Sequence, residues 1–373
     1  MLKALIVDDS ITYRAILGSV LQAIPTVSSS ASATNGRTAL SRLKQEAFDI
    51  VLLDIEMPDL DGLETLKLIK QSQPNLPVVM VSGTNRKSTD ITIRALEAGA
   101  LDFVPKPDYG STNENTEALK AQLSPIFSNI VQNKQSGNSA AYISTGQNRY
   151  SQAAPRPVTA APARKPLQPK LSFTAEVIVI AVSTGGPNAL NEFIPKLPAT
   201  LGVPVLLVQH MPPVFTASLA ASLDKKSPLS VKEAEDGEFL LNNTVYIAPG
   251  GYHMAVGESS GRQKSIVLNN TDPPENSCKP SADYLFRSVA KYYQGNTLAI
   301  VMTGMGQDGT KGVEQLAKVG SCYCITQSAE TCVVYGMPRA VDKAGLSDEQ
   351  VPLYQLADHI SQLFNNHSAM RTG

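Results

Sequence analysis

Tryptophan is absent from this 373-residue chain, and aromatic residues make up only 6% of it. Stacking of nucleic-acid bases on aromatic platforms is therefore poorly provided for. Neither sign of charge is in excess: Lys+Arg total 32 against Asp+Glu 33, a formal net charge of −1. That removes any global electrostatic case for nucleic acid or an anionic membrane as partner. No apolar run approaches the roughly 18 residues that a spanning helix needs. Asp8 and Asp9 stand where a signal peptide would continue its apolar stretch, so a cytoplasmic protein is expected. Cysteine is scarce, with Cys278, Cys322, Cys324 and Cys332 and no C-x-x-C pair. Cys322 and Cys324 fall two apart in a strand-like run, share a face, and read as buried small apolar groups rather than metal ligands.

What is present is ample core material, 42% hydrophobic over a length that predicts two domains or slightly more. The composition changes once. From about Ser128 to Ser172 the chain is rich in Ser, Gln, Asn, Ala and Pro and carries six basic residues but no Asp or Glu. Its prolines deny it helix and ladder hydrogen bonds, so it reads as a flexible, partly extended linker. Its positive charge is alternatively a docking surface for an acidic partner. The expected division is residues 1–124, a linker over 125–173, and a second domain over 174–373.

In the first domain, Ala4–Val7, Asp49–Leu53, Pro77–Val81 and Asp102–Val104 read as buried parallel strands, with a weaker one over Val27–Ala33. Helical patterns separate them, the first from Ile11 to Ile24 with Ser10 as N-cap. Five βα units make a doubly wound parallel sheet, whose ligands bind beyond the carboxyl ends of the strands. Asp8 and Asp9 end the first strand and Asp54 the third, so the three carboxylates converge if those strands are neighbours. Such a cluster repels itself unless a hard cation such as Mg²⁺ relieves it. A carboxylate beside that metal can accept a phosphoryl group. Ser82 ends the fourth strand and Lys106 follows the fifth, supplying the hydroxyl and cation an acyl phosphate needs.

The second domain repeats the alternation, with strands over Val177–Val182, Val205–Val208, Thr244–Ile247, Leu298–Met302 and Cys322–Thr326. Helical patterns cover Asn188–Leu197, Phe215–Leu223, Ser281–Tyr293 and Lys311–Lys318. Ser183 follows the first of these strands and precedes Thr184-Gly185-Gly186-Pro187, a glycine turn into a helix. A serine there can attack a carbonyl while backbone amides await the oxyanion. His210 ends the second strand, and Asp308 lies in the turn after the Leu298–Met302 strand. The three suit a nucleophile, a base and an orienting carboxylate. Their order, Ser…His…Asp, and the missing first glycine of G-x-S-x-G both disfavour an ordinary α/β-hydrolase. His253 follows Pro249-Gly250-Gly251, in a possible hairpin; it and His210 could each instead be structural. His359 falls in a C-terminal helix and His367 in a polar tail. Gly304-x-Gly306-x-x-Gly309 meets the form of a dinucleotide fingerprint, but it falls late in the domain. Asp308 would also oppose a pyrophosphate there. No helix-turn-helix pattern supports a DNA-binding output.

Val7-Asp8-Asp9-Ser10, Leu53-Asp54-Ile55-Glu56-Met57-Pro58, Asp61-Gly62-Leu63, Val81-Ser82 and Pro105-Lys106-Pro107 resemble the motifs of two-component receiver domains. The resemblance implies a flavodoxin-like sheet and phosphorylation of Asp54 by a histidine kinase. Asp8, Asp9, Asp54 and the Glu56 backbone carbonyl would hold Mg²⁺, and Ser82 with Lys106 would form the switch. Ala181–Pro187, Val208–Pro212, Tyr246–Gly251, Pro280–Phe286 and Thr303–Gly309 are similar to the chemotaxis protein-glutamate methylesterase/glutaminases of the CheB family. That family resemblance implies a Rossmann-like catalytic domain with Ser183, His210 and Asp308 as its triad. Amides of Thr184 and Met305 are expected as oxyanion donors, and no cofactor is expected in this domain. It implies receptor glutamate methyl esters and glutamines as substrates, neither nucleic acid nor membrane insertion, and a monomer. Lys279 stands where an arginine is usual.

Overall fold

The computed structural model describes residues 1–107, 111–135, 175–258, 263–294 and 296–371. Most of the segment read as a linker therefore lies outside the described residues.

The N-terminal unit runs β1 (Leu2–Val7), α1 (Ile11–Gln22), β2 (Val27–Ala33), α2 (Gly36–Gln45), β3 (Ile50–Asp54), α3 (Gly62–Ser72), β4 (Val78–Ser82), α4 (Arg86–Glu97), β5 (Asp102–Pro105) and α5 (Thr112–Gln135). Its sheet has the order β2-β1-β3-β4-β5, with every pairing parallel. The interior strands β3 and β4 are buried at every residue, which is why they read as unbroken apolar runs. The caps follow the sequence: Ser10 accepts from the Tyr13 amide and Asp61 from the Glu64 amide. The boundary expected at residue 124 falls inside α5. Ile126, Phe127 and Ile130 pack into this unit's core, so its last helix extends to Gln135.

The second unit runs β6 (Val177–Val182), α6 (Gly186–Phe193), β7 (Val205–Gln209), α7 (Phe215–Asp224), β8 (Ser230–Glu233), β9 (Thr244–Ile247), β10 (His253–Glu258), β11 (Lys264–Asn269), α8 (Ala282–Tyr293), β12 (Thr297–Val301), α9 (Thr310–Val319), β13 (Cys322–Gln327), α10 (Met337–Lys343), β14 (Glu349–Val351) and α11 (Leu353–Arg371). Seven parallel strands form a sheet in the order β14-β13-β12-β6-β7-β9-β8, and β10 pairs with β11 as a separate antiparallel hairpin. From β6 the chain builds outward through β7 to one side and later through β12 to the other. The tip of β6 is thus a topological switch point, the place where such sheets take their ligands. Both His359 and His367 lie in α11, so the tail expected around His367 is helical instead.

The two units share a face. A contiguous apolar cluster extends from the first sheet into α6 and α7 of the second unit. Phe103 of β5, the edge strand of the first sheet, stacks on Phe215 with ring centroids 4.6 Å apart. Asn188 Nδ2 donates to the carbonyls of Ala100 at 2.7 Å and Leu101 at 3.3 Å. Lys226 pairs with Glu97 at 2.6 Å, and Ser218 donates to Asp90 at 2.7 Å.

Candidate functional sites

The acidic cluster of the first unit forms as its strand ends predict. With β1 and β3 adjacent, Asp8, Asp9 and Asp54 bring ligand oxygens within 4.8 Å of one another. Asp8 and Asp54 are buried while Asp9 is exposed, so the cluster opens to solvent on one side. Lys106 Nζ bridges the two buried acids, 2.9 Å from Asp8 and 2.8 Å from Asp54. Burial pushes the Asp54 carboxyl up to about 6 even though Lys106 opposes it. Burial also works against the Lys106 ammonium, but Asp54 and Asp8 outweigh it and hold its pKa above the usual value. Three carboxylates with one cation are a hard-oxygen donor set that fits Mg²⁺. The Glu56 carboxylate accepts a hydrogen bond from Ser88 Oγ at 2.5 Å. Ser82 Oγ lies 2.9 Å from the Gly83 carbonyl and 2.7 Å from Thr92 Oγ1, and makes no hydrogen bond with Asp54 in this arrangement.

In the second unit, Ser183, His210 and Asp308 follow β6, β7 and β12 respectively. The β6–β7 register pairs Val182 with Gln209, so the next residues, Ser183 and His210, leave the sheet side by side. On the other side of β6, the Ser183 amide donates to the Thr303 carbonyl at 2.9 Å, tying the serine to the end of β12. Gln209 Nε2 donates to the Ser183 carbonyl at 3.0 Å and fixes the turn from a third direction. Two glycines make the turn possible. Gly185 sits at φ 74°, a left-handed conformation, and a Cβ there would fall 2.4 Å from Val333. A Cβ on Gly304 would stand 2.7 Å from the Ser183 Cβ, so only glycine lets the β12 turn approach the serine this closely.

His210 and Asp308 meet across the tip of β6, Nε2 to Oδ2 2.8 Å. The carboxylate is almost wholly buried, and four further donors hold it. Oδ1 accepts from Asn276 Nδ2 at 2.9 Å, Ser281 Oγ at 2.8 Å and the Asp283 amide at 3.1 Å, while Oδ2 accepts from the Ala282 amide at 2.6 Å. The last two amides open α8, whose N-terminus favours an anion. Burial alone would raise the Asp308 pKa, but His210 and these donors drive it well below the usual carboxylate range. Burial depresses the His210 pKa, yet Asp308 first and Cys278 second reverse this and carry it up to about 9. The proton shared with Asp308 occupies Nε2, so Nδ1 is the nitrogen left for exchange. Cys278 Sγ lies 3.6 Å from it. Ser183 Oγ makes no hydrogen bond among the described residues. The amides of Thr184 and Met305 likewise donate to no protein acceptor there, and both residues are at least partly exposed.

His253 is not part of this cluster. It opens β10, is fully buried, bonds the Pro273 carbonyl at 3.0 Å and stacks on Tyr284. Lys279 spans its own loop, reaching the carbonyls of Asn270 and Asp272, both at 2.6 Å. Sequence reasoning missed the Asn276 and Ser281 grips on Asp308 and the Cys278 contact with His210. It also missed Asp102 of β5, whose Oδ2 accepts from the Gly185 amide at 3.1 Å. Only the N-cap position of Ser281, before a helical pattern, carried a local signal.

A phosphoacceptor-type pocket on a flavodoxin-like sheet, docked against a parallel α/β unit with a hydroxyl, an imidazole and a carboxylate at its switch point, defines a two-domain response regulator with an α/β output domain. Residues 4–114 match the response regulator receiver domain model and residues 178–360 the CheB methylesterase model. A Desulfotalea psychrophila protein-glutamate methylesterase/protein-glutamine glutaminase is 43% identical over 359 residues, covering 96% of this chain and 97% of the relative. The Bacillus subtilis protein of the same name is 42% identical over 351 residues, covering 94% of each. The solved Thermotoga maritima CheB methylesterase catalytic domain is 41% identical, covering 51% of this chain and 99% of that one with a TM-score of 0.49. The chain belongs to the CheB methylesterase family. No helix among the described residues is long and apolar enough to cross a membrane.

Proposed function

We propose that this protein is a phosphorylation-regulated protein-glutamate methylesterase and protein-glutamine glutaminase of chemotactic adaptation, with Ser183, His210 and Asp308 as its catalytic triad. The observation that carries the site assignment is the 2.8 Å His210–Asp308 contact built over the strand end that bears Ser183. Asp308 fixes the proton on Nε2 and stabilises the imidazolium that forms. Nδ1 then takes the Ser183 hydroxyl proton as Oγ attacks the side-chain carbonyl carbon of a glutamyl methyl ester. Oxyanion charge falls to amides of the turns, with Thr184 and Met305 as candidates. The Nδ1 proton passes to the departing methoxide, giving methanol, or to the departing amide, giving ammonia. Water, deprotonated by Nδ1, cleaves the acyl-enzyme and returns the proton to Ser183.

In the receiver, Asp54 is the phosphoacceptor, served by a chemotaxis histidine kinase. Asp8, Asp9, Asp54 and the Glu56 carbonyl would hold Mg²⁺, which supplies charge neutralisation for phosphoryl transfer. Lys106, already on both buried acids, balances the added charge, and Ser82 must leave Thr92 to reach a phosphoryl oxygen. The names of the relatives point to methylated glutamates and glutamines of a protein as substrates, and the family resemblance makes that protein a chemoreceptor. Methanol release from methylated receptor, with and without a phosphodonor, tests the reading. Ser183→Ala should lower turnover by roughly 10⁴ to 10⁶, and a variant that kept its esterase rate would remove the nucleophile from the scheme.

A further inference from the structure

Among the described residues, His210 Nδ1, the nitrogen Ser183 must use, has one protein partner within hydrogen-bond range, the thiol of Cys278. The thiol is held in place from several sides. Glu275 and Cys278 exchange backbone hydrogen bonds at 3.0 and 2.8 Å around a tight turn. The two residues between them, Asn276 at φ 52° and Ser277 at φ 64°, both adopt the left-handed conformation without being glycine. Arg287 grips Glu275 with both guanidinium ends, at 2.7 and 2.6 Å. Asn276 Nδ2 reaches both Asp283 and Asp308, each at 2.9 Å. One turn thus presses on both ends of the dyad, with an amide on the carboxylate and a thiol on the imidazole.

We propose that Cys278 is a positioning residue for the hydrolysis, its sulfur serving as the resting partner of His210 Nδ1 and holding the ring until Ser183 takes that nitrogen. The inference rests on the triad reading and deepens it. A neutral ring with its proton on Nε2 offers Nδ1 as an acceptor to the S–H. A protonated ring offers Nδ1–H to the sulfur instead, so the thiol serves the imidazole in both states. Among the described residues, the titratable groups acting on His210 are Asp308 from the β12 turn, with Asp283 of α8 beside it, and Cys278 from its own turn. Lys279 is directed to backbone carbonyls and Arg287 to Glu275. Removing the sulfur leaves a buried imidazolium with no acceptor at Nδ1, which favours the neutral ring.

The test is an NMR titration of the His210 ring in the full chain carrying Ser183→Ala, assigned by comparison with a His210→Asn variant, so that no turnover is needed. Cys278→Ala should lower the His210 midpoint by roughly one pH unit. Cys278→Ser, whose hydroxyl still accepts from Nδ1–H, should restore part of the shift. In the chain with Ser183 intact, the acid limb of kcat/KM for methanol release should move in the same direction. Equal midpoints in the Cys278→Ala variant and its parent would overturn the proposal, because a cysteine that only fills space alters rate or stability without moving the ring's titration. The NMR result stands whether or not the esterase reading holds, and the loss of turnover on Ser183→Ala tests that reading separately.

Discussion

The receiver's Asp102 carboxylate accepts a hydrogen bond from the Gly185 amide, Oδ2 to N 3.1 Å, two residues beyond Ser183. The receiver unit therefore holds the turn that follows Ser183 through a group that is nearly inaccessible to water. Lys106, which pairs with Asp54 in the acidic pocket, lies four residues further along the same stretch of backbone. The path from the acidic pocket to the turn beside Ser183 is thus one short edge strand.

Burial carries the Asp102 carboxyl up to about 7, opposed only by the Phe103 and Gly185 amides. A folded-state pKa raised above the unfolded one contributes stability that is complete below about pH 4 and lost as pH rises to about 7. Asp102→Asn retains an acceptor for Gly185 without this ionisation. The variant should match the parent near pH 4 and exceed it at pH 8 by on the order of a few kcal/mol. Denaturant unfolding at the two pH values checks the difference.

With His210 raised to about 9, the ring is mostly protonated at neutral pH and cannot take the serine proton in that form. Basal kcat/KM should climb about tenfold per pH unit below that value and level off above it. Stability contributed by the pair moves the other way, present in full below about pH 6.5 and lost as pH passes through about 9. Methanol release and thermal unfolding measured over one pH series should show the opposite trends.

Asp308→Asn leaves a similar shape but can no longer fix the Nε2 proton with a full negative charge. Turnover should fall by about 10³ to 10⁴ with little change in KM. Ser281→Ala removes one donor of several and should cost far less, on the order of tenfold. Steady-state kinetics on methylated receptor separates the two.

Asp54→Asn should abolish stimulation by a small-molecule phosphodonor while basal hydrolysis persists. Chelation of Mg²⁺ should reproduce this in the parent chain, because the divalent ion is assigned to the receiver and not to the triad. Stimulation that survives either treatment would place the phosphoacceptor elsewhere.

The buried strands of both sheets were readable because they leave unbroken apolar runs, and the glycine turns that mark their ends placed Ser183, His210 and Asp308 at the rim of one sheet, whereas the order of the strands was not legible. β8, at the edge of its sheet and partly exposed, left no such run, and neither did three-residue β14. The hairpin of β10 and β11 was anticipated only through its first residue, His253. The supports of Asp308 were hidden for a different reason. Asn276 and Ser281 lie 32 and 27 residues away from it, and nothing local to either says which carboxylate it will meet. Asp102 reads in sequence as an ordinary strand residue, and its partner Gly185 belongs to another folding unit.

The stacked Phe103 and Phe215 rings bear on how long an activated state can last. Both are buried, and Phe103 projects from the outermost strand of its sheet. Any rearrangement that draws the two units apart wets these rings and uncovers an unpaired strand edge, a combination prone to self-association. The open enzyme should therefore be the sticky one, at its most soluble when dilute or when the surface it has bared is laid against its substrate.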